Sequence, residues 1–211
     1  MQATGKEVFS AAVDMTESAP IDRFFGEVAE RFNKVDVLCN SAGGPPAGNF
    51  EALEDEQWYF AFNLTVMNIV RSVRHALPLM RAAGGGRIIN IASTSVKQPI
   101  PGLLLSNVMR PGIAGLVKTL SLELAADNIL VNAIAPGGFD TPRAKSLTER
   151  AARAQGVTPE QLRKQSDASV PLKRIGQPEE LGALALYLAS PASAYVTGQT
   201  IFIDGGVTQA L

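Results

Sequence analysis

"VDVLCNSAGG", residues 35–44, carries the fold in ten positions. Val35, Val37, Leu38 and Cys39 form a short apolar run, Asn40 closes it, and Ser41-Ala42-Gly43-Gly44 leads out through residues too small to continue a packed strand. A buried strand that empties into a small-residue loop is the pattern of a parallel sheet at its carboxyl edge.

The same pattern recurs on either side. "GRIINIAS" (86–93), "ILVNAIAP" (129–136) and "GQTIFIDGG" (198–206) are further apolar runs that end in loops, and "EVFSAAVD" (7–14) reads as another buried strand upstream. Between them lie stretches of helical period. In "SAPIDRFFGEVAERFN" (18–33), Ile21, Phe24, Phe25, Val28, Ala29 and Phe32 share one face, with Ser18 as the expected N-cap. Residues 54–82, 104–126, 158–168 and 178–190 read as helices; Pro111 falls inside 104–126, and Thr158 with Pro159 opens 158–168. Strands alternating with helices, the strands apolar throughout, predict an α/β, doubly wound parallel sheet covered on both faces. No linker or repeat interrupts it, so residues 1–211 read as a single domain.

The bulk numbers agree with a packed core and narrow the partners. Hydrophobic residues make up 46% and charged residues 18% of the chain, and the formal net charge is −1. That balance, without a dense Lys/Arg run, argues against nucleic acid. The one cysteine, Cys39, excludes a disulfide framework and a cysteine-rich metal site, and reads as a buried thiol. No apolar run reaches the roughly 18 residues of a membrane span, and "MQATGKEVFS" lacks the apolar core of a signal peptide. The expectation is a soluble cytoplasmic protein with no metal and no membrane partner.

Ligands in doubly wound sheets bind beyond the carboxyl ends of the strands. Here those exits read "VDMT", "CNSAGG", "IASTS" and "APGGFDT". With "FNLT" and "RIGQPEELGALALYLASPASAYVTGQTIFIDGG", they make a chain that resembles the short-chain dehydrogenase/reductase family over essentially its whole length, and within it a subgroup similar to 3-oxoacyl-carrier-protein reductases. The resemblance implies a Rossmann-type fold, NAD or NADP as cofactor, and a carbonyl or acyl-thioester substrate. It also implies roles. Asp14 and Met15 would meet the adenine, Asn40, Ala42 and Gly43 would lie against the cofactor, Pro136 and Gly137 would line the nicotinamide, and Thr141 would reach its carboxamide or phosphate. Asn63 matches the asparagine that organises a proton-relay water, and Ser93 the serine that hydrogen-bonds the substrate carbonyl. Singly, each has a plain alternative: Asp14 as a turn residue, Asn63 as a solvated helix position, Ser93 as a cap.

The chain departs from the family pattern twice. The family places a tyrosine thirteen residues after the serine and a lysine four residues after that. Thirteen after Ser93 is Ser106, and four after Ser106 is Arg110. A phenol with a pKa of about 10 can be lowered by a nearby cation into a useful general acid; an aliphatic hydroxyl gives up its proton poorly. Arg110 keeps the charge but presents a planar fork of donors in place of a compact ammonium. Three readings follow: a reductase with another proton donor, a cofactor-binding protein without turnover, or a different reaction on the same scaffold. Tyr59, Tyr187 and Tyr195 offer no rescue, the last two reading as core residues, and His75 reads as a surface or interface residue. Secondly, no glycine-rich phosphate loop precedes Asp14, so the first βαβα portion of the family pattern is missing from this sequence. The expectation is that Met1 is an internal methionine of a longer protein; a native mass of 22.3 kDa would exclude it.

Residues 141–176 resemble the family's substrate lid. Arg143, Lys145, Arg150, Arg153, Arg163, Lys164, Lys173 and Arg174 could favour an anionic substrate, or could simply solvate a helical hairpin. The resemblance also implies a homodimer or homotetramer through helices 54–82 and 104–126.

Overall fold

A computed structural model describes residues 5–210; Met1 and the side chain of Arg143 lie outside the described residues. Four parallel strands, β1 (Val37–Asn40), β2 (Gly86–Ile91), β3 (Ile129–Pro136) and β4 (Thr200–Ile203), form one sheet in sequence order. Seven α-helices surround it: α1 (Ser18–Phe32), α2 (Asp55–Phe62), α3 (Asn68–Ala82), α4 (Leu104–Glu123), α5 (Pro142–Gln155), α6 (Pro159–Ser169) and α7 (Pro178–Ala189).

Alternation along the strands decides which helix covers which face. Ile88 and Val131 point to one side, where Ile21 and Phe25 of α1, Val73 and Met80 of α3, and Ile113 and Val117 of α4 close the core. Their neighbours Ile89 and Ile134 point to the other, against Leu188 of α7 and half-buried Leu184 and Ile201. Two separate hydrophobic clusters, one per face, are the physical content of a doubly wound sheet. The expected face of α1 is the buried one, but the helix begins one residue early: Glu17 is the N-cap, and the Ser18 hydroxyl instead faces Asp22. Thr158 caps α6 as expected, in a reciprocal box with Gln161.

The expected 54–82 helix is continuous but carries a π turn, Asn63–Met67, between α2 and α3. The turn widens the ladder by one residue, and the side chains of Thr65 and Asn68 bond back to the carbonyls of Ala61 and Leu64.

Four expectations are corrected. Residues 7–14 are not a strand: no ladder forms along them, and most are exposed. They are held by side chains instead. Phe9 stacks on Phe24 with the Arg31 guanidinium 4.5 Å from its ring centroid, while Val13 and Met15 pack on the core. Apolar, β-branched composition does not make a strand where no neighbour supplies hydrogen bonds. Cys39 is exposed, not buried, because it alternates with Leu38 onto the face opposite α3, where α7 covers β2 and β3 and leaves β1 open. Tyr187 and Tyr195 are likewise at the surface. No helix among the described residues is long and apolar enough to cross a membrane.

Candidate active site

The exit of β2 and the first two turns of α4 build the centre. After Ile91 the chain turns through Thr94–Val96, and the Ser93 hydroxyl caps this turn by accepting from the Ser95 amide at 3.2 Å. Positions three or four apart on a helix share a face, so Ser106 and Arg110 both point from α4 into the sheet end, where both are buried. The Ser106 hydroxyl lies 3.0 Å from that of Ser95, and Arg110 Nη1 donates to the Ile91 carbonyl at 2.9 Å. The thirteen-and-four spacing thus closes in space: a strand end, its exit turn and one helix face meet. Arg110 is a costly residue here. Its Nε finds no partner among the described residues, and burial pushes its pKa down.

Beside this centre the exits of the strands are laced by amides. Asn40 Nδ2 donates to Asn90 Oδ1 at 2.9 Å, and Asn90 Nδ2 reaches the Asn132 carbonyl at 3.5 Å, crossing β1, β2 and β3. Asn40, Ala42, Gly43, Ile91 and Arg110 together line a narrow cleft. A cavity of about 330 Å³ opens next to it, lined by Val13, Met15, Phe25, Leu38, Asn40 and Ala42 among others. Four of the expected cofactor-side positions, Met15, Asn40, Ala42 and Gly43, therefore share one continuous region with Arg110.

The remaining candidates stand at its margins. Asp14 is exposed, and its carboxylate accepts from the Thr16 hydroxyl at 2.6 Å and amide at 2.9 Å, bonds that hold it below the usual carboxylate range. At the β3 exit, Gly137 donates to the Ile203 carbonyl at 3.0 Å; a Cβ there would come within 2.9 Å of the Asp204 Cα, so only glycine fits. It follows Pro136, the last residue of β3. Thr141 caps α5 through its hydroxyl, which accepts from the Ala144 amide at 3.1 Å. Asn63 opens the π turn, which packs on α4, and its side chain is engaged by Arg71: Oδ1 accepts from Arg71 Nη2 at 2.9 Å, and Arg71 Nη1 donates to the Thr16 carbonyl at 2.8 Å.

Residues 142–169 form the hairpin α5–α6 over the β3 exit loop, enclosing a cavity of about 320 Å³ lined by Phe139, Lys145, Thr148, Pro159 and Arg163 among others. Several of its cations are answered internally. Arg163 and Lys145 lie 3.2 and 3.5 Å from Asp140, and Arg174 grips Glu180 with two bonds of 2.7 and 2.8 Å. Partial burial raises the Asp140 carboxyl, yet Arg163 and Lys145 outweigh it and leave the group below its ordinary range.

Three residues of the centre escaped sequence reasoning. Asn90 and Asn132 were legible as single amides inside apolar strands, since a buried polar side chain must find a partner. Ser95 had no such mark.

Comparison with known proteins agrees with this geometry. A family model described as enoyl-(acyl carrier protein) reductase matches residues 1–208. The chain is 34% identical over 210 residues to a 3-oxoacyl-[acyl-carrier-protein] reductase of Chlamydia trachomatis, spanning 98% of this chain and 79% of the relative. It is 35% identical over 196 residues to a D-beta-hydroxybutyrate dehydrogenase of Rhizobium meliloti, spanning 92% and 76%. The crystal structure of L-sorbose reductase from Gluconobacter frateurii, complexed with NADPH and L-sorbose, superposes with a TM-score of 0.95 at 33% identity, over all of this chain and 80% of that one.

Proposed function

Because the chain belongs to the short-chain dehydrogenase/reductase family, we propose that it reduces a carbonyl group, a 3-oxoacyl thioester above all, with hydride from NADH or NADPH. One observation carries this reading: Ser93, Ser106 and Arg110 converge at the end of β2, beside the cleft formed by Asn40, Ala42 and Gly43. The residues fit a dinucleotide. Ala42 and Gly43 keep one side of the cleft small, and the buried Arg110 has an Nε with no partner among the described residues.

A bound nicotinamide supplies the hydride and leaves oxidised. The chain's own residues do the rest. Asp14 and Met15 would hold the adenine end, Asn40, Ala42 and Gly43 would lie against the cofactor, Arg110 would hold the ribose hydroxyls, Pro136 and Gly137 would line the nicotinamide, and Thr141 would reach its carboxamide or phosphate. Ser93 donates to the substrate carbonyl oxygen. Arg110 would stabilise the negative charge that gathers on that oxygen in a dry site. Ser106 occupies the donor position and would pass its proton to the oxygen, regaining one from a water held by Ser93, Ser106 and Arg110. Asn63 anchors the π turn behind it. A serine hydroxyl is a far weaker acid than a phenol, so turnover is slow for the family.

The assay is oxidation of NADPH and of NADH with acetoacetyl-coenzyme A, beside Ser106→Ala and Arg110→Ala. Both variants fall at least tenfold; activity untouched by both removes the pair from the mechanism. A second reading has its own support, since the Ser106 hydroxyl is already engaged by Ser95: a binding or assembly subunit that holds the dinucleotide without turnover. Clear dinucleotide binding with no oxidation of either coenzyme selects it.

In the same reading the protein acts in the cytoplasm as one domain, residues 1–211 with a lid over 141–176, and assembles as a homodimer or homotetramer. Exposed Tyr59 of α2 and Val108 and Leu122 of α4 support an assembled helical face. Sedimentation at micromolar concentration tests it, and a monomer excludes it.

A further inference from the structure

We propose that Ser95 is a positioning residue that tunes the acidity of Ser106. This rests on the reading of Ser106 as the proton donor, but on an observation of its own. Ser95 is 2% exposed, so its hydroxyl must be satisfied inside the protein. Among the described residues both of its side-chain partners belong to Ser106: the hydroxyl at 3.0 Å and the carbonyl at 3.5 Å. Its amide is taken by Ser93. The carbonyl only accepts, and either hydroxyl of the 3.0 Å pair could donate; in this proposal Ser95 is the donor, to its nearer partner Ser106 Oγ.

The direction of that bond sets its chemistry. With Ser95 donating, Ser106 Oγ accepts, and the Ser106 proton is free to turn toward the cleft. When that proton leaves, the Ser95 O–H remains aimed at the oxygen that acquires charge, and a hydrogen bond to the charged form lowers a pKa. Arg110, one turn along α4, adds its field. The turn 93–96 thereby links two hydroxyls: Ser93, which meets the substrate, and Ser106, which supplies the proton. Ser95 touches neither substrate nor cofactor; it acts through Ser106.

Two measurements on the intact chain test this, and only one needs turnover. In a Cys39→Ser background, Ser106→Cys places a thiol at the donor position, and its thiolate absorbance in the ultraviolet reports the pKa there. Adding Ser95→Ala raises that pKa by about one unit, the effect of one lost hydrogen bond to the anion, and Ser95→Thr restores it. Equal pKa values with and without the Ser95 hydroxyl overturn the proposal. In the acetoacetyl-coenzyme A assay, Ser95→Ala lowers kcat roughly tenfold, with the dinucleotide KM unchanged, and Ser95→Thr recovers most of it. In a Ser106→Ala background the same change has no further effect; a full additive loss there shows that Ser95 does not act through Ser106 and overturns it. If the wild-type chain turns nothing over, the reductase reading fails, while the thiol titration still decides the proposal about Ser95.

Discussion

The middle of the sheet and its β1 side are built from similar residues and behave differently. In β2 and β3, Ile88, Ile89, Val131 and Ile134 are all but fully buried, each strand hydrogen-bonded on both sides and helices lying on both faces. On the β1 side, Val37 and Cys39 are exposed, and residues 7–14, as apolar as many strands, have no ladder at all. What separates the two regions is the number of neighbours each backbone finds. A strand is a property of a pair, and burial follows pairing.

The sharpest way to break this comparison is to truncate one β-branched side chain to alanine on each side. Ile134→Ala opens a cavity beneath α7 and costs about 2–5 kcal/mol in denaturant unfolding; Val37→Ala on the exposed edge costs no more than about 0.5 kcal/mol. Equal losses would show that β1 is covered in solution.

Arg110 gives the next effect, because the role proposed for it comes at the expense of stability. Its desolvated guanidinium lacks a full set of partners. Arg110→Met weakens NADPH binding at least tenfold in a fluorescence titration, while the denaturation midpoint of the free protein stays level or rises. A falling midpoint would mean that the Ile91 contact matters more to the fold than to the site.

At the far side of the β3 exit, the Arg174–Glu180 pair offers a smaller, pH-dependent effect. The hydrogen bond from Arg174 and the amide of Gln177 hold the Glu180 carboxyl at about 2, below its ordinary 4.5. The unfolded chain binds the extra proton between those values, so the contribution is present above pH 4.5 and is lost as pH falls toward 2. Arg174→Gln flattens the urea midpoint profile in that window and leaves it unaltered near neutrality apart from a constant offset. Both partners are solvent-exposed, so the change is modest.

The smallest effect is a rate. Cys39 reacts with a thiol reagent in the folded protein, at a pace slowed because partial burial pushes its pKa up. Protection until global unfolding would place it back in a covered edge.

How far the sequence could be read follows the same division. Helical faces repeat within a few residues, so Ile21 and Phe25 on α1 and the Thr158 cap of α6 were visible locally. The spacing from Ser93 to Ser106 to Arg110 was visible too, since a fixed spacing across one turn and two helical turns brings the same atoms together. The orientation of Asn63 was not, because Arg71, about two turns further on, claims its side chain and is itself fixed by Thr16.

The sequence by itself therefore determined the alternation of strand and helix, the strand exits, and the thirteen-and-four spacing of Ser106 and Arg110 from Ser93. Only the tertiary structure decided that residues 7–14 remain unpaired, that Cys39 faces outward, that Asn40, Asn90 and Asn132 form one chain, and that Ser95 reaches Ser106. Periodicity is written in neighbouring residues, whereas pairing and hydrogen-bond partnership depend on atoms brought together from distant parts of the chain.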